Sequence, residues 1–260
     1  MKGQKQTIVF IHGMWGTKHF WDNYVRLLEE LGYTCVALNL PYHDKVSNSE
    51  VGHISIQTYI DYVQKEIQKL GVPVILMGHS MDGLIAQKIA ELEPKLVEST
   101  VLITPASPRG IIAITPSVLW SFSSVLFRWN FWEKRHKLSF KKAVYAMLHL
   151  MSKEKQKEIY KSFVYESGRA AGEIGFWYLD KNKTTKVDAK KVTCPMLVIA
   201  GLEDQITPAS VVKKIADRYE NATYLPYLYH AHWITQEDGW KEVVNDIHHW
   251  LQNSQKNLNK

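Results

Sequence analysis

At 260 residues the chain can bury a substantial core, as one domain or as a domain with an insertion. Its 45% apolar content excludes a disordered chain, and a net charge of +6 favours anionic partners without identifying one. Two cysteines, Cys35 and Cys194, are too few for a disulfide framework and read as buried thiols. No apolar run is long enough for a secretory leader or a bilayer span, so a cytoplasmic location is expected.

Residues 7–11 are β-branched and apolar and read as a buried strand. A glycine-bracketed loop follows, His12-Gly13-Met14-Trp15-Gly16. From Phe20 to Leu31 the apolar spacing is helical (Trp21, Tyr24, Val25, Leu28), and Gly32 closes it. Thr34 to Leu38 reads as a second strand, and Asn39 to Ser55 as a polar loop. Ile56, Tyr59, Ile60, Val63, Ile67 and Leu70 share one helical face that ends at Gly71. Val74 to Met77 is a third strand; it turns through Gly78-His79-Ser80 into a helix carrying Leu84, Ile85 and Ile89. Ser99 to Ile103 is a fourth. This alternation predicts an α/β fold: a mostly parallel, doubly wound sheet with helices on both faces.

The rhythm breaks over 107–186, which is helical, aromatic and basic and shows no strand pair. It returns with a strand at Met196 to Ala200, a helix with Thr207 as N-cap and Pro208 in its first turn, and a strand at Thr223 to Tyr227. A terminal amphipathic helix runs from Trp240 to Leu251, followed by a polar, frayed tail. The expected organisation is a core of residues 1–106 and 187–260, with 107–186 inserted as a helical lid.

Ser80 stands on an abrupt strand-to-helix corner, where its hydroxyl is presented outward near a helix N-terminus. A serine nucleophile needs a base, a group to orient the base, and donors for the oxyanion. In an open α/β sheet these come from loops at the carboxyl ends of strands. Asp204 follows one such strand, with Glu203 as its rival for the orienting acid. His230 and His232 follow the last strand, and the chain order Ser, Asp, His favours Asp204 with His232. The two histidines could instead ligate a metal, but no matching ligand set accompanies them, and no metal or cofactor is expected. The amides of Met14 and Met81 are candidates for the oxyanion hole, Met81 because it opens the helix after Ser80.

Phe10-Ile11-His12-Gly13, Gly78-His79-Ser80-Met81, Gly201-x-x-Asp204 and His232-Trp233, in this order, resemble the α/β-hydrolase superfamily. The short lead into the first strand is similar to its compact esterase and hydroxynitrile-lyase branch. The resemblance implies a sheet of about six strands, Ser80 as nucleophile, Asp204 as acid, His232 as base, and the Met14 and Met81 amides as oxyanion donors. It leaves the reaction open. Hydrolysis of small or medium carboxylic esters is the leading expectation. A lyase or perhydrolase using the same triad, or a weakly active ligand-binding homologue, are the alternatives.

The last alternative rests on Asp82, which stands where the family carries a small residue. Asp82 as the nucleophile itself is disfavoured, because that frame puts Leu84 at a small position. As a first-turn acid it would stabilise the helix by roughly 0.3–1 kcal/mol. As a carboxylate about 7 Å from an oxyanion it would oppose it by roughly 2 kcal/mol at an effective dielectric of ~20. Asp82 is therefore expected to weaken the enzyme. Trp15, His79, Trp120 and Trp129 are the candidate substrate contacts, in an apolar pocket. The expected partner is a small apolar ester; the basic aromatic stretch adds weak association with an anionic lipid surface, and no nucleic-acid module is present.

Overall fold

The computed structural model describes residues 5–44 and 50–258. Part of the expected 39–55 loop, residues 45–49, and the ends of the chain therefore lie outside the described residues. Among the described residues, six strands form one parallel sheet: β1 (Thr7–Ile11), β2 (Thr34–Leu38), β3 (Val74–His79), β4 (Val97–Ile103), β7 (Met196–Gly201) and β8 (Ala222–Tyr227), in the order β2-β1-β3-β4-β7-β8. β3 and β7 are buried along their whole length, which is why they read as unbroken apolar runs.

The strand order reverses once, between β2 and β3. Right-handed crossovers then set α1 (Asp22–Glu30) on one face and α2 (Ile56–Leu70), α3 (Met81–Leu92) and α8 (Ala209–Ala216) on the other. α9 (Trp240–Leu258) packs with α1, and α2 packs with α3. α3 is buried on nearly every side and is the core helix of its layer. The switch point lies between β1 and β3, where a cleft opens above the strand ends. Ser80 follows one of these strands and Met14 the other.

Local chemistry sets several boundaries. The Ser55 side chain accepts from the Gln57 N–H at 3.1 Å to start α2, and Gly71 ends it in the left-handed conformation (φ 64°). Three sequence expectations need correction. Pro208, not Thr207, occupies the N-cap position of α8; the Thr207 hydroxyl is engaged by Asp204 and by the Thr104 carbonyl instead. α9 continues to Leu258, past the expected stop at Leu251. And the stretch between β4 and β7 does hold a strand pair.

That stretch carries α4 (Pro116–Leu126), α5 (Phe140–Ala143), α6 (Lys153–Ser162) and α7 (Gly168–Gly175). Between them β5 (Arg135–His136) pairs antiparallel with β6 (Glu166–Ser167). Two residues a side are too few for alternation to register as a pattern. Among the described residues, no helix is long and apolar enough to cross a membrane.

Candidate active site

The corner after β3 is held by close packing. Ser80 adopts φ 54° and ψ −122°, a backbone conformation that costs a non-glycine residue about 1–3 kcal/mol. The surrounding backbone over-determines it. The Ser80 N–H donates to the Ile103 carbonyl at 3.0 Å, and the Ser80 carbonyl accepts from Gly83 at 2.9 Å and Ala106 at 2.8 Å. A Cβ on Gly78 would collide with the Asp82 carbonyl, and one on Gly83 would sit 2.6 Å from Pro105 Cβ. The close approach expected at position 82 therefore falls on Gly83, and Asp82 leaves the corner intact.

Three side chains far apart in sequence meet there. His232 Nε2 lies 2.9 Å from Ser80 Oγ, and His232 Nδ1 lies 2.8 Å from Asp204 Oδ2. Asp204 also accepts from the Ile206 and Thr207 amides, at 2.7 and 2.9 Å, and from the Thr207 hydroxyl at 2.8 Å. Burial alone would raise its carboxyl; the neighbouring His232 and the Thr207 donors outweigh that and hold it below the ordinary range. A carboxylate at Nδ1 fixes the proton on that nitrogen, leaving Nε2 free to accept from Ser80. The His232 carbonyl is itself held by His79 Nε2 at 2.8 Å and by the Thr104 hydroxyl at 3.3 Å.

The rivals are elsewhere. Glu203 is exposed. His230 turns to Glu237, with Nδ1 3.0 Å from its Oε2. Among the described residues, no three histidine, cysteine or acidic side chains form a group able to hold a metal ion.

A cavity of about 450 Å³ opens on Ser80, with Met14 and Met81 also in its wall. Met81 opens α3, where first-turn N–H groups lack intrahelical acceptors. The stretch between β4 and β7 adds Ile112, Ile114, Leu119, Phe122, Ile174 and Trp177 to the wall. Among the described residues, no charged side chain lines it.

None of Trp15, His79, Trp120 and Trp129 lines this cavity. Trp15 is buried behind it against Phe122 and Phe163, and His79 is fully buried beneath His232. Trp120 and Trp129 face solvent, with 52% and 82% exposure. The reason is helical phase. α4 turns Leu119, Phe122 and Leu126 inward, so Trp120 falls on the outer face, where Lys142 Nζ sits 5.5 Å from its ring centroid. The three-and-four spacing of Leu119, Phe122 and Leu126 was a usable signal; the aromatic count drew attention to the wrong face.

Asp82 is fully buried, and neither carboxyl oxygen has a hydrogen-bond partner. Burial first, and the charge of Glu166 second, push its pKa well above the usual carboxylate range. With no hydrogen-bond partner in the interior, the carboxyl favours its protonated form, in which it would carry no charge to repel an oxyanion.

Comparison with known proteins bears on the fold family. A family model described as alpha/beta hydrolase fold matches residues 6–237. An esterase of Mycobacterium tuberculosis is 28% identical over 118 residues, 45% of this chain and 36% of that protein. The dihydrolipoyllysine-residue acetyltransferase component of the acetoin cleaving system of Cupriavidus necator is 32% identical over 106 residues, 40% of this chain and 27% of that protein. The chain spans less than half the length of the curated relatives it matches. The solved monoacylglycerol lipase of Paleococcus ferrophilus superposes with a TM-score of 0.72 at 23% identity, over 95% of this chain and 94% of that one.

Proposed function

The chain belongs to the α/β-hydrolase fold family, and from that premise we propose that it is a serine hydrolase of uncharged carboxylic esters with apolar acyl groups. The contact that carries the reading is the 2.9 Å approach of His232 Nε2 to Ser80 Oγ, the latter in the wall of a cavity with no charged lining side chain among the described residues. Ser80 Oγ attacks the ester carbonyl carbon while its proton passes to His232 Nε2. The carbonyl electrons move onto oxygen, facing the amides of Met14 and Met81. His232 then returns the proton to the leaving alcohol as the C–O bond breaks. Water, deprotonated by His232, releases the acid and regenerates Ser80. Asp204 keeps the imidazole oriented throughout and stabilises its cation.

The cavity supports the substrate class. Its volume of about 450 Å³ is in the range of small-molecule sites, and the described residues that line it offer no cation for a substrate carboxylate. The stretch 107–186 is read as a lid, since it supplies much of the wall of the cavity that opens on Ser80. Its outer surface exposes Phe127 (89%) and Trp129 beside Arg128, which supports shallow contact with an anionic lipid surface. The aligned Ser80–His232–Asp204 contacts favour turnover over ligand binding alone.

A fluorophosphonate probe and a panel of p-nitrophenyl esters of rising chain length test the reading. Labelling at Ser80, abolished in Ser80→Ala, with turnover rising from acetyl to medium acyl chains, is the expected result. Absence of labelling in the folded wild-type protein would sink it.

A further inference from the structure

The structure holds a second group of buried polar side chains that ester cleavage does not use. Glu166, on β6 of the inserted stretch, is fully buried. Its Oε2 lies 3.0 Å from His43 Nε2, and its Oε1 accepts from the Tyr59 hydroxyl at 2.9 Å and the Ser167 N–H at 2.7 Å. His43 Nδ1 donates to the Pro41 carbonyl at 2.9 Å. With an oxygen acceptor at each ring nitrogen, His43 is satisfied as an imidazolium facing a carboxylate. Burial alone would lower the pKa of His43 and raise that of Glu166; their mutual attraction reverses both.

This pair reaches the loop that carries Met14 from two directions. The His43 ring packs on His12, with 5.1 Å between centroids. His12 accepts the Leu40 N–H at Nε2 (3.2 Å) and donates from Nδ1 to the Gly13 carbonyl (2.9 Å). Gly13 immediately precedes Met14. On the other side, the Val164 N–H, two residues before Glu166, donates to the carbonyl of Trp15 at 2.9 Å. The residues flanking Met14 are thus each held by a contact that leads back to Glu166.

Placing two ions in a dry interior is costly, and apolar residues of similar shape fasten two segments at less cost. What an ion pair with fixed partners supplies is register. We propose that Glu166 is a positioning residue: by pairing with His43 it locks residues 163–167 of the insertion against the 12–16 loop, and so holds the Met14 amide at the position an oxyanion requires. The inference rests on the reading of Met14 as an oxyanion donor. It makes the insertion part of the catalytic framework as well as a wall of the cavity.

A donor that matters only once charge develops on the carbonyl oxygen affects kcat rather than KM. Removing an oxyanion donor outright typically costs 10²–10³ in kcat, so displacing one in Glu166→Gln is expected to cost roughly 10- to 100-fold, with KM within about two-fold. The affinity of a boronic acid, which forms a tetrahedral adduct on Ser80, falls in parallel. The double variant His43→Gln/Glu166→Gln, with two neutral amides able to hydrogen-bond, recovers most of kcat. Tyr59→Phe, which removes only one of the bonds to Glu166, shows a smaller kcat loss of the same kind and serves if Glu166→Gln does not fold. Fluorophosphonate labelling of wild-type Ser80 separates two failures. Without labelling, the hydrolase reading itself falls. With labelling, folded Glu166→Gln (or Tyr59→Phe in its place) that loses melting temperature but keeps kcat and boronate affinity overturns the positioning role alone.

Discussion

Asp82 Oδ2 lies 4.0 Å from His12 Nδ1, in the dry interior directly beneath the Ser80 corner, and the Nδ1 proton is already given to the Gly13 carbonyl. His12 cannot neutralise Asp82 by becoming a cation: burial first, and the His43 charge second, lower its pKa to about 3. Burial therefore favours the proton on Asp82. Its folded pKa is raised above its unfolded value, so the native state binds that proton more tightly. The stabilisation is complete below the unfolded carboxylate range and is lost as pH rises through the folded pKa. Asp82→Asn keeps the shape without the titration. Its stability relative to wild type is expected to climb as pH rises above the unfolded carboxylate range, measured by urea denaturation. A difference that stays constant with pH would contradict a protonated Asp82.

The same neutrality bears on rate. A charged Asp82 would make Asp82→Asn faster by more than about ten-fold, since roughly 2 kcal/mol of repulsion would be relieved. With a neutral acid, ester turnover at about pH 7 is expected to stay within about three-fold of wild type. Burst-free kinetics on a p-nitrophenyl ester decide between the two.

Gly83 is the small residue that the corner requires. Adding a Cβ 2.6 Å from Pro105 Cβ forces α3 away from the end of β4, and overpacking of this kind costs about 1–3 kcal/mol. Gly83→Ala is expected to lower the melting temperature and to lower kcat more than KM, because the strained Ser80 backbone depends on that contact. Wild-type stability in Gly83→Ala would show that the helix can shift freely.

Much of this architecture was legible in the sequence, and what was missed has a common cause. The central strands were visible because buried parallel strands are continuous β-branched runs, as in Ile8–Val9 and Val74–Ile75. The convergence of Ser80, Asp204 and His232 was legible because all three follow strand ends in a sheet of known handedness. Glu166 and His43 gave no such sign: they are 123 residues apart, and Glu166 lies on a strand of two residues. The charge state of Asp82 was hidden as well. A carboxylate next to a helix N-terminus and a protonated acid in a sealed interior are the same letter, and only the surrounding atoms distinguish them. For Trp120, the phase of α4 mattered more than the residue type.

That phase gives the last prediction. Phe122 and Ile174 both line the cavity that opens on Ser80, whereas Trp120 and Trp129 point to solvent. Filling the cavity from the wall with Ile174→Trp should exclude long acyl chains while sparing short ones, since a buried pocket discriminates by volume. The chain-length optimum on p-nitrophenyl esters is expected to move toward acetyl, with kcat/KM for medium chains falling by about ten-fold or more and acetyl ester turnover within about two-fold. Phe122→Ala should move the optimum the other way. Trp120→Ala and Trp129→Ala should leave the profile for soluble esters unchanged, because neither ring touches the cavity. An optimum that shifts with Trp120 but not with Ile174 would mean that the acyl chain lies along the outer face of α4, and that the enclosed cavity is not its site.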